Sequence, residues 1–178
     1  MNKSNLNSFI FTGLCIAIGF LLVQFCKVIP IANANAILLP MHISVLICGL
    51  VCGARYGTVA GISLPLITFL LTGKPVIYPI GLAMMFELTT YGIIIALMYK
   101  ATNGKLIISL VTSLIAGRIV YGIAATILFS FTNIPFGFSM FISTTVAMAL
   151  PGIIIQLLLI PLLWKALKKA KIYTVTSY

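Results

Sequence analysis

Glu87 is the only acidic residue among 178, and that fact alone removes most folds from consideration. A water-facing surface is solvated by charges of both signs, and soluble domains carry roughly 25% charged residues. Here the charged fraction is 7% and the hydrophobic fraction 62%. The exterior must therefore face lipid. At about 20 residues per crossing with short connections, the chain has room for about six spans. The expectation is an all-α bundle of six transmembrane helices, a single domain over residues 1–178.

Eleven Lys or Arg stand against that one acid, a formal charge of +10. In a soluble protein this would suggest nucleic-acid binding, but here the cations sit at the ends of apolar runs, where anionic headgroups meet them. The four cysteines, Cys15, Cys26, Cys48 and Cys52, lack the His and Cys spacing of a zinc site and read as small packing residues. Lys3 before an apolar run could mark a cleaved signal, but the run is longer than a usual signal core and similar runs follow. A retained first helix is expected.

Along the chain, Asn7 or Ser8 caps a first span that ends near Lys27. Residues 29–40, with Pro30, Asn33, Asn35 and Pro40, predict a long irregular outer loop whose apolar residues lie as a cover over the helices. Short second and third spans follow at 41–54 and 56–72. One re-entrant hairpin is the alternative, disfavoured because Arg55 between them resists burial at the bilayer centre. A proline-rich turn at 72–79 precedes a fourth span to about Tyr99. A polar connection at 100–105 leads to the fifth span at 106–129, a loop at 130–139 and a sixth span at 140–166. With the N-terminus inside, Lys3, Arg55, Lys100, Lys105, Lys165, Lys168, Lys169 and Lys171 are cytoplasmic, against Lys27 and Lys74 outside. That bias predicts both termini in the cytoplasm.

Three polar residues fall deep within spans: Glu87 in the fourth, Arg118 in the fifth and Gln156 in the sixth. Burial of an uncompensated charge is costly, so Glu87 and Arg118 are expected to face each other across adjacent helices. The pair fits a purely structural tie, and it equally fits the wall of a solute cavity, since a guanidinium has five donors and can hold a second anion. His42, at the outer start of the second span, suits either packing or ligand contact. Lys74 can reach headgroups or a ligand, Tyr78 an aromatic belt or a ligand, and Gln156 a ligand amide or a neighbouring helix. Asn133 in the third outer loop completes the candidate set.

This inventory favours a neutral or anionic solute over a cation. It argues against a proton-coupled carrier, which generally uses acidic relays, and against a resident metal or cofactor. No nucleophile elbow, zinc-protease, phosphate-loop or paired-carboxylate signature occurs, so an enzyme is not expected. Gly49, Gly53, Gly57 and Gly61, at intervals of four, suit close helix packing better than phosphate binding.

Several segments resemble the substrate-binding S components of energy-coupling-factor (ECF) vitamin transporters. These are Gly13-Leu14-Cys15-Ile16-Ala17, Leu39-Pro40-Met41-His42, Phe86-Glu87-Leu88-Thr89-Thr90-Tyr91-Gly92, Gly117-Arg118-Ile119-Val120-Tyr121-Gly122 and Pro151-Gly152-Ile153-Ile154-Ile155-Gln156. The resemblance covers nearly the whole chain. It implies a small-molecule vitamin captured at the outer face of a prokaryotic cytoplasmic membrane. It also implies partnership with a transmembrane coupling subunit and two cytoplasmic ATPase subunits. Gly13 and Ala17 would then lie on the partner-contacting surface, where the family usually has alanine at both positions. The motifs look closest to the pantothenate-type branch, whose ligand has a carboxylate for Arg118 or Lys74 and hydroxyl and amide groups for Asn133 or Gln156. Riboflavin, a pyridoxine-related compound, folate or a queuosine precursor are alternative solutes. A non-transport membrane scaffold is the alternative function.

Overall fold

The computed structural model describes residues 3–30, 34–132 and 149–170, all helices and tight connections. The helices are α1 (Lys3–Val28), α2 (Ala34–Leu38), α3 (Pro40–Cys52), α4 (Ala54–Thr72), α5 (Leu82–Ala101), α6 (Leu106–Ser130) and α7 (Leu150–Lys169), with a wide helical turn at Ile77–Gly81 leading into α5. Five of these helical stretches are long and apolar enough to cross a membrane. The result is an all-α, multi-span bundle.

The helix at the centre is the short one. Every residue of α3 is buried, although its 13 residues reach only about 20 Å at 1.5 Å per residue, against about 30 Å of hydrocarbon. Pro40 at the first turn of α3 suits its fixed φ, and the preceding Leu39 adopts a left-handed conformation with φ 51°. The long helices around α3 present apolar residues outward: Phe9, Leu14 and Phe25 on α1, and Leu158 and Leu162 on α7, are exposed. An outer surface of this kind is stable only against acyl chains.

Inside, packing depends on small residues that let backbones approach. On α1 the inward stripe is Ser8, Thr12, Cys15, Gly19, Val23 and Cys26, spaced three or four apart as one helical face requires. A Cβ on Gly19 would meet Ser44 and Leu64. The chain reverses between α3 and α4 at Gly53, whose φ of 87° favours glycine. Gly49 on α3 and Gly57 on α4 then both abut the backbone of Gly92 on α5, and Gly61 abuts Leu88 and Thr89. The glycines at intervals of four are thus packing residues on two antiparallel helices, with Gly53 as the turn between them. Threonine hydroxyls within the helices bond the carbonyl four residues back, as Thr68 does to Leu64 and Thr90 to Phe86, which satisfies them where water is absent.

Several expected boundaries change. The first helix begins at Lys3, not at a cap on Asn7 or Ser8, and Ser8 lies inside it with its carbonyl accepting from Thr12 at 2.7 Å. An apolar run in lipid has no reason to end at a single asparagine, because its backbone groups must be paired internally. The outer segment expected to be irregular contains helix α2, in which Leu39 N–H bonds Asn35 O at 3.2 Å. It lies against the start of α7, where a Cβ on Gly152 would meet the Ile37 carbonyl and the Leu39 side chain. The fourth span becomes regular only at Leu82, because Tyr78 is extended (φ −110°, ψ 130°). Residues 133–148, including Asn133 and the expected start of the sixth span, lie outside the described residues.

Candidate functional site: a buried carboxylate shared by three helices

Glu87 sits on α5, one helical turn before Tyr91, and is 2% exposed. Its Oε1 accepts a hydrogen bond from the Tyr91 hydroxyl at 2.8 Å and lies 3.0 Å from Arg118 Nη1 on α6. Its Oε2 lies 3.5 Å from His42 Nε2, in the first turn of α3. The expected contact between Glu87 and Arg118 across adjacent helices is present, and α3 adds a second basic group on the other oxygen.

The neighbouring residues explain why the side chains meet. Tyr91 lies fully buried between α3 and α6. On one side its ring tilts against His42, with centroids 5.3 Å apart at 57°. On the other it passes over Gly117, where any Cβ would overlap ring atoms. The glycine immediately before Arg118 therefore creates the space for the aromatic ring that positions the carboxylate. Gly92, immediately after Tyr91, holds α5 against α3 and α4.

What the cluster leaves unpaired is as informative as what it pairs. Arg118 Nε and Nη2 are buried and have no hydrogen-bond partner among the described residues, and the same holds for His42 Nδ1; apart from the contacts of this cluster, both amide atoms of Gln156 on α7 are also buried and unpaired among the described residues. Buried polar atoms in native proteins are nearly always paired, so unpaired ones mark places that take water or a ligand. On a guanidinium, Nε–H and Nη2–H form one side of the planar fork, which matches the two oxygens of a carboxylate. Glu87 occupies Nη1 and leaves that side of the fork open. Gln156 lies on the inward stripe of α7, with Gly152, Ile160 and Trp164.

Lys74 and Tyr78 do not join this cluster. Lys74 is exposed, beside a Thr72 hydroxyl that bonds its carbonyl at 3.0 Å. Tyr78 is 43% exposed and donates to the Leu128 carbonyl at 2.9 Å, tying the turn before α5 to the end of α6. Both residues lie in the 72–81 connection, ahead of the regular part of α5.

Over residues 7–167 the chain matches the family described as ECF transporter, substrate-specific component. The chain belongs to that family. Comparison with curated proteins and with solved structures gives no match. As an ECF substrate-specific component it is a multi-pass protein of the cytoplasmic membrane that serves vitamin transport and carries out no catalysis itself. The buried cluster is then read as part of a binding subunit. Two of its members, Tyr91 and Gly117, stand in the sequence only within the family-like segments and not among the candidate site residues. The signal for Tyr91 is its position four residues after Glu87, which puts both on one face of a helix. That for Gly117 appears only once Tyr91 is placed.

Proposed function

We propose that this S component binds a carboxylate-bearing vitamin, of which pantothenate fits best, with the carboxylate on the open fork of Arg118. The observation that carries this reading is the pair of unpartnered buried donors, Nε and Nη2, on a guanidinium already neutralised by Glu87. An isolated buried arginine would bind any anion and destabilise the empty protein. One held by a carboxylate is tolerated empty and still has two donors to offer. His42 Nδ1 and the Gln156 amide supply the complementary groups for hydroxyl and amide functions. On this reading Lys74 and Tyr78 belong to the outer entrance.

The same reading takes α3 as a sixth crossing, its short length completed by the outer segment with α2, and places both termini in the cytoplasm. Purified protein is expected to bind pantothenate without ATP or partner subunits, and an excess of riboflavin, pyridoxine or folate should not displace it. Absence of binding across a broad vitamin panel by a folded preparation would overturn the assignment.

Gly13 and Ala17 are both exposed on α1, and a Cβ on Gly13 meets nothing within 4 Å. This supports their role as the docking stripe for the transmembrane coupling subunit, which works with two cytoplasmic ATPase subunits. Gly13→Leu is therefore expected to leave the melting temperature of the isolated chain unchanged, within about 0.5 kcal/mol, while co-purification with the coupling subunit is lost. Full retention of the complex would move the interface elsewhere.

A further inference from the structure

The pantothenate reading, on which this inference rests, has an electrostatic consequence at the buried site. In the empty protein Glu87 and Arg118 cancel. A ligand carboxylate on the open fork leaves two negative groups against one guanidinium, a net charge of −1 beside a carboxylate and an imidazole that are each 2% exposed. A buried unbalanced charge is strongly disfavoured, so either a neighbouring group takes up a proton or the anion is excluded.

The titratable groups facing His42 are few. On α5 they are Glu87 and Tyr91, and α6 adds Arg118 with Tyr121 one turn on. The inward stripe of α1 contributes only the thiols of Cys15 and Cys26. The buried residues of α4 (Gly57, Ala60, Gly61, Leu64, Pro65 and Thr68) and of α7 (Gly152, Gln156, Ile160 and Trp164) carry no titratable side chain. Among these groups His42 alone can gain positive charge near neutral pH. It is 2% exposed, its Nε2 is 3.5 Å from Glu87 Oε2, and neither ring nitrogen has a hydrogen-bond partner among the described residues. A proton on the ring makes both nitrogens donors. It converts the 3.5 Å approach into an ion pair at the moment the ligand draws on Arg118.

We propose that binding of a carboxylate vitamin is accompanied by uptake of one proton at His42, so that the solute is held in the membrane with its charge balanced. The proton comes from solvent and returns when the ligand leaves. Because the complex holds one more proton than the free protein, affinity falls as pH rises.

The experiment is titration calorimetry of the purified chain with pantothenate at about pH 7.5 in buffers of differing ionisation enthalpy. It is repeated with the neutral alcohol analogue, in which a hydroxymethyl group replaces the carboxylate. For the acid, close to one proton taken up per ligand is expected, with the affinity falling up to about tenfold per pH unit as pH rises. The alcohol should bind with no uptake and a flat pH profile. His42→Gln should bind the acid more weakly and without uptake. Proton uptake persisting in His42→Gln would assign the proton to Glu87 and overturn the proposal. Zero uptake by the unmodified chain on binding the acid overturns it while leaving the Arg118 anchor intact, whereas failure to bind any carboxylate vitamin overturns both readings. If His42→Gln does not fold, the comparison of acid with alcohol decides alone, and equal uptake for the two ligands refutes the charge-balance argument.

Discussion

Arg118→Gln is expected to lower the affinity for pantothenate at least about 100-fold and to destabilise the empty bundle by about 3–5 kcal/mol. The two losses have different origins. Affinity falls because the open Nε and Nη2 donors disappear. Stability falls because Glu87, 2% exposed, loses the cation 3.0 Å from its Oε1 and keeps, among the described residues, only the Tyr91 hydroxyl and the 3.5 Å approach of His42. Adding Glu87→Gln separates them. Glutamine at 87 carries no charge to strand, so the double variant should recover most of the stability while binding remains lost. Melting temperature and equilibrium binding, measured on the wild type, both single variants and the double variant, form a thermodynamic cycle. If the double variant binds pantothenate like the wild type, Arg118 is a structural tie only.

How much of this site is legible in the sequence depends on the kind of contact. Glu87 and Arg118 stand out because an apolar chain cannot conceal a charge, and the cost of burying one requires a partner on a nearby helix. His42 is visible as a polar residue at a helix start. Its approach to Glu87 depends on how far α3 slides along α5, and that is set by Gly49 meeting Gly92. Periodicity gives the faces of helices but not their relative height. The segment before α3 shows the same division: its apolar residues predict a cover, but the turn of helix at Ala34–Leu38 packs against Gly152, more than a hundred residues later. At the far end of α7, Trp164 Nε1 donates to the Tyr99 hydroxyl at 3.3 Å and Lys168 Nζ lies 5.4 Å from the Trp164 ring centroid. Composition marks those residues as interfacial, while their mutual contact joins α5 to α7 and could not be read from either segment alone.

The glycine seam carries the second large prediction, because it sets the position of the binding cluster without contacting a ligand. In lipid the association of helices draws little on apolar burial and rests on close backbone packing. Gly61 meets Leu88 and Thr89 just after Glu87, while Gly49 and Gly57 meet Gly92 one turn further on. A Cβ on Gly92 would stand 2.6 Å from the Gly57 backbone, and backbone cannot turn aside as a side chain can. Gly92→Ala must therefore push α5 away from α4, with an expected loss of about 3 kcal/mol or more and a melting temperature about 10 °C lower. The displacement carries Glu87 and Tyr91 away from His42, so pantothenate affinity should fall as well, although residue 92 has no side chain to offer a ligand. Gly13→Leu, with open space around it, adds far more volume at no cost to the isolated chain, so side-chain size alone does not account for the difference. If Gly92→Ala melts with the wild type and binds with equal affinity, the helices tolerate separation at the seam. The buried carboxylate would then be positioned by its own hydrogen bonds and ion pairs instead of by the backbone beneath it.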